Sequence, residues 1–73
     1  MKTVYFVKRN GLPLLGTARE TEEQALSLCK KIKEQYDNGE YSIGQFNTYW
    51  DKKEWNNQLI SHYMVQRLVF GDK

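Results

Sequence analysis

Asn10-Gly11 lies between two runs of strand-forming residues, Thr3 to Arg9 and Leu12 to Thr17. Both residues tolerate the positive φ angles of a type I′ turn, so the chain is expected to double back here as a β-hairpin. A two-residue loop fixes the register: Arg9 faces Leu12, Lys8 faces Pro13, Val7 faces Leu14, Phe6 faces Leu15 and Tyr5 faces Gly16. Pro13 then falls at a non-hydrogen-bonded pair, where its missing N–H takes nothing from the first strand. A strand on the far side would lose a bond, so strand two is predicted at a sheet edge.

This register makes both faces of the hairpin apolar. Val4, Phe6, Leu15 and Thr17 share one face, and Tyr5, Val7, Leu12 and Leu14 the other. One helix covers one face of a small sheet. The second face must meet a partner or the chain's own middle segment, or stay partly exposed.

A helix is predicted next. Thr21 is a good N-cap, Gln24 stands at the capping-box position, and Glu22 and Glu23 lie in the first turn, where the helix dipole favours carboxylates. Lys30, Lys31 and Lys33 crowd the last turns, and Gly39, after Asp37-Asn38, supplies a left-handed stop. Ala25, Leu28, Cys29, Ile32 and Tyr36 form one apolar stripe, which makes Cys29 a core residue rather than a reactive thiol.

Tyr41 to Trp50 returns to strand composition, with Tyr41 and Ile43 on one parity and Phe46, Thr48 and Trp50 on the other. The phase changes near Gly44, which suggests a β-bulge or a bend. Tyr63 to Phe70 reads as a final strand. Between them two readings compete. Asp51-Lys52-Lys53-Glu54 matches a capping box and Trp55 with Leu59 makes an i,i+4 apolar pair, as in a short helix. The same four residues could be a hairpin loop that sets Trp50 opposite Trp55 and Phe46 opposite Leu59; the aromatic pairing favours the hairpin, while Asn56-Asn57 argues for the helix. The expected fold is α+β: a single domain over residues 1–73, with a mainly antiparallel four-stranded sheet in ββαββ order and one principal helix packed on one face.

Composition narrows function mainly by exclusion. A chain of 73 residues has a core that typically supplies about 3–5 kcal/mol of net stability, so a partner would help, and a homodimer through the uncovered face or strand two is expected. One cysteine and one histidine leave no disulfide and no zinc set, so no metal or cofactor is expected, and a lone thiol suits a reducing cytoplasm. The apolar run Val4–Val7 is too short for a signal core or a membrane span, so a cytoplasmic chain with no membrane association is expected. Eleven Lys and Arg against nine Asp and Glu give a formal charge of +2, too little to make nucleic acid the default partner.

Catalysis finds no constellation. His62 is the natural acid–base candidate, but it stands between Ser61 and Tyr63 at the start of the expected last strand with no oriented partner. The five glycines are scattered and none builds a phosphate loop before a helix. Aromatic side chains remain. Tyr5, Tyr41, Tyr49, Trp50, Trp55 and Tyr63 could stack bases while Lys8, Arg9, Lys52, Lys53 and Arg67 neutralise phosphate, as in a sequence-tolerant single-strand binder. The same types also suit a protein interface. The segment Tyr49 to Met64 is rich in them, so Tyr49, Trp50, Lys52, Lys53, Trp55, Tyr63 and Arg67 are the expected partner-binding residues.

The series Val4-Tyr5-Phe6-Val7, Asn10-Gly11, Leu15-Gly16-Thr17, Thr21-Glu22-Glu23-Gln24-Ala25 and Tyr41-Ser42-Ile43 resembles the ββαβ layout of many small phage and prophage proteins. Some anti-CRISPR proteins and other host-takeover inhibitors are among them. The resemblance implies a non-enzymatic inhibitor that occupies the surface of a host protein, such as a defence or regulatory complex; it assigns no residue a role.

Overall fold

The computed structural model describes residues 1–36 and 39–62. It contains β1 (Lys2–Arg9), β2 (Leu12–Pro13), α1 (Glu22–Tyr36), β3 (Tyr41–Thr48), a 3-10 turn (Lys52–Glu54) and α2 (Trp55–His62). The strands form an antiparallel sheet in the order β2-β1-β3, with β1 in the centre.

The hairpin forms in its predicted register. Asn10 and Gly11 take φ of 53° and 82°, Arg9 pairs with Leu12, Lys8 with Pro13, and the Leu14 N–H donates to the Val7 carbonyl at 2.9 Å. Among the described residues proline lies on an edge strand, in keeping with its missing N–H. Past Leu14 the register departs from expectation. Tyr5 pairs not with Gly16 but with Arg19, exchanging both backbone hydrogen bonds at 2.9 and 2.7 Å.

Thr17 accounts for the slip. Its Oγ1 accepts the Val7 N–H at 3.0 Å and donates to the Leu14 carbonyl at 2.6 Å. A hydroxyl is one donor and an acceptor, so it stands in for the direct Val7-to-Leu14 bond that a continuous ladder would make. Gly16, at φ 89°, lets the chain turn around it. The loop is secured from outside by Asn56 of α2, whose Oδ1 accepts the Gly16 and Ala18 N–H groups at 3.2 and 3.4 Å. Arg19 donates to the Gly16 and Ala18 carbonyls at 3.2 and 2.8 Å. Burial lowers the pKa of this guanidinium.

α1 begins on the predicted capping box: the Gln24 N–H donates to Thr21 Oγ1 at 3.1 Å, and Gln24 Oε1 accepts the Thr21 and Glu20 N–H groups at 3.3 and 3.2 Å. Gly39 takes a φ of 107° after the helix, and next to it Asn10 and Glu40 exchange two bonds that tie the hairpin tip to β3.

β3 contradicts the expected bulge. Its eight residues pair with β1 without interruption, from Lys2 with Thr48 to Arg9 with Tyr41. Gly44 instead makes room for Phe6, because a Cβ at position 44 would lie 2.5 Å from the Phe6 Cζ. The phase change is real but reports a strand covered on both faces. Gly44→Ala is expected to lose about 1–3 kcal/mol, since the buried Phe6 ring must move, and Phe6→Leu should recover part of the loss in a urea titration.

Among the described residues two clusters make the core. On one face Val7, Leu14, Leu28, Cys29 and Ile32 gather under α1, with Tyr41 and Ile43 beside them. On the other, Val4, Phe6, Ala18, Trp55 and Leu59 gather under α2, with Phe46 against them. The Phe6 and Phe46 rings meet tilted at 6.0 Å.

The second apolar face is thus covered by the chain's own middle segment. This corrects two expectations. Residues 51–60 do not form a hairpin: Trp55 and Leu59 sit one helical turn apart and both insert into the sheet, and only a helix aims an i,i+4 pair at one surface. The Asp51 side chain makes no cap, however, and the turn closes through the Glu54 N–H to the Asp51 carbonyl at 2.8 Å. Among the described residues there are three strands and two helices, rather than one principal helix. The predicted strand Tyr63 to Phe70 lies outside the described residues.

Candidate partner-contact site

Tyr49 and Trp50 leave the sheet together where β3 ends. Tyr49 is 80% exposed and Trp50 47%, a pair of adjacent aromatic rings in water. Their backbone is held from both sides. The Trp50 N–H donates to Thr48 Oγ1 at 2.9 Å, from a threonine that is itself buried, and the Trp50 carbonyl accepts the Trp55 indole N–H at 3.0 Å. One tryptophan is therefore the anchor and the other the presented ring. Lys52 and Lys53 follow directly and are exposed, with the exposed Asp51 before them.

The expected contact residues therefore divide. Tyr49, Trp50, Lys52 and Lys53 share one exposed turn. Trp55 does not join them: at 1% exposure it is the largest fully buried side chain among the described residues, and its indole fills the core under α2. Tyr63 and Arg67 lie outside the described residues. A signal for the division was present in the i,i+4 spacing of Trp55 with Leu59, which belongs to a helix that buries both.

Other candidates are placed elsewhere. Cys29 is buried under α1, where burial raises its thiol pKa and the nearby Lys33 lowers it by less, so little thiolate is available near neutral pH. His62 is the last residue of α2, not the first of a strand. Tyr5 and Tyr41 are half-buried in the sheet, and Lys8 and Arg9 are half-buried in β1. With a helix packed on each face, the sheet does not offer a continuous aromatic platform for stacked bases. Among the described residues no three His, Cys, Asp or Glu side chains come together as a metal site, and no helix is long and apolar enough to cross a membrane. Compared with known protein families, with curated proteins and with solved structures, the chain matches none.

Proposed function

We propose that this chain is a non-enzymatic protein-binding module, an inhibitor of phage or mobile-element type that occupies the surface of a host protein through its Tyr49-Trp50 turn. The observation that carries the reading is the pair of exposed rings on a backbone fixed by Thr48 and Trp55. Interface energy concentrates in a few aromatic anchors, and anchors that are already held in place lose little entropy on binding. Lys52 and Lys53 beside the rings suit a partner with an acidic rim. The inhibitor part of the reading rests on the ββαβ resemblance alone.

Tyr49→Ala with Trp50→Ala is expected to reduce partner capture at least tenfold, the effect of losing about 1.4 kcal/mol or more, while unfolding stability changes by no more than about 1 kcal/mol. Affinity capture from a host lysate, with and without nuclease, checks it. Capture that survives nuclease and fails in the double variant supports the proposal; undiminished capture by the variant refutes it. The same rings and lysines also favour single-stranded nucleic acid as a second reading, whose mark would be capture lost to nuclease and binding that weakens steeply with salt.

A further inference from the structure

Asn10 and Gly11 form the exposed tip of the β1–β2 turn, and an asparagine followed by glycine is chemically unstable wherever the backbone is free. The Gly11 backbone nitrogen attacks Cγ of the Asn10 side chain, a five-membered imide closes and ammonia leaves. Water then opens the imide at one of its two carbonyls. The product is aspartate, or isoaspartate with the chain running through Cβ. Glycine carries no side chain to shield the attacking nitrogen, and even a Cβ built at Gly11 would meet nothing within 4 Å.

The folded turn withholds this reaction. The φ angles of 53° and 82° at Asn10 and Gly11 are those of a type I′ turn, in which the first central residue has a ψ of about +30°. At that ψ the Gly11 nitrogen stands nearly anti to Asn10 Cβ, whereas the imide ring requires the two to be eclipsed. The residue is also held from the side of β3. Its Oδ1 accepts the Glu40 N–H at 2.9 Å, and its own N–H donates to the Glu40 carbonyl at 2.7 Å. Closing the ring means swinging ψ out of the turn and drawing the carboxamide away from Glu40. We propose that Asn10 is a self-modification site, silent in the closed hairpin and reactive when the tip opens. The change is one-way. Isoaspartate adds a backbone atom to a two-residue loop, so the turn that pairs Arg9 with Leu12 is lost. Asn10 lies beyond the Tyr41 end of β3 and the Tyr49-Trp50 turn beyond the Thr48 end, so this proposal does not rest on the contact reading.

Incubation of the full chain at mildly alkaline pH, native and in denaturing guanidinium chloride, tests the proposal when followed by peptide mapping. Trypsin places Asn10 in residues 10–19 and the other Asn-Gly pair, Asn38-Gly39, in residues 34–52, so the two are read apart. Conversion shows as the mass gained when an amide becomes an acid, and isoaspartate by its enzymatic methylation. Asn10 is expected to convert at least about tenfold more slowly in the native protein than in the denatured chain. Gly39→Ala is the second arm. A Cβ there would lie 3.2 Å from Asn10 Oδ1 and 2.9 Å from Arg9 Nε, which loosens the hold on Asn10, so the folded variant should convert faster than the parent. Where that variant does not fold, the comparison of native and denatured protein decides alone. Equal rates in the two states, no conversion of Asn10 in the denatured chain, or an unchanged rate in a folded Gly39→Ala protein would overturn the proposal.

Discussion

Trp55→Ala is expected to leave the protein largely unfolded at 25 °C. Removing a buried tryptophan costs about 3–5 kcal/mol, which is as much as a domain of this size usually has. The indole belongs to the cluster that joins α2 to the sheet, and its N–H is bonded to the Trp50 carbonyl. Trp55→Phe keeps most of the apolar volume and gives up that bond, so a smaller loss of about 1–2 kcal/mol is expected. Urea unfolding followed by circular dichroism separates the outcomes. A Trp55→Ala protein with an unchanged midpoint would mean that α2 does not cover the second face of the sheet.

Thr17→Val should be almost as damaging although it changes hardly any volume. The hydroxyl lies inside the β1–β2 ladder, wholly buried, and bridges the Val7 N–H to the Leu14 carbonyl. Valine would leave both backbone groups buried without partners, a loss of about 2–4 kcal/mol. Thr17→Ser keeps the bridge and gives up one methyl group, for about 1 kcal/mol. A valine variant as stable as the wild type would show that the hydroxyl does not carry the ladder.

The elements that could be read from the sequence are those whose boundary chemistry is local. Asn10-Gly11 fixes a turn through two φ angles, and Thr21 with Gln24 fixes a helix start through a reciprocal pair of bonds. Pro13 marks an edge because of one missing hydrogen. What could not be read depends on contacts distant in sequence. The loop at Leu15 to Ala18 follows from a Thr17 hydroxyl that displaces a ladder bond and from Asn56, some 40 residues away, which secures it. Gly44 looked like a bulge because a missing Cβ says nothing about which ring needs the space.

The candidate site was legible as composition but not as geometry. Tyr49, Trp50 and Trp55 are alike in the sequence, and any of them could be core or contact. Burial separates them, because the helix that begins at Trp55 turns this residue and Leu59 into the sheet, while Tyr49 and Trp50 fall in the turn before it. Both lysines of the segment are on the outside.

Acrylamide quenching of tryptophan fluorescence, with and without the captured partner, tests the contact assignment most directly. In the free protein one tryptophan, Trp50, should be quenched readily and the other, Trp55, hardly at all, as their exposures of 47% and 1% require. With the partner bound, in a complex whose partner contributes no emission, both should resist quenching. A Trp50 that stays as quenchable in the complex as in the free protein would contradict the assignment of this turn as the contact site.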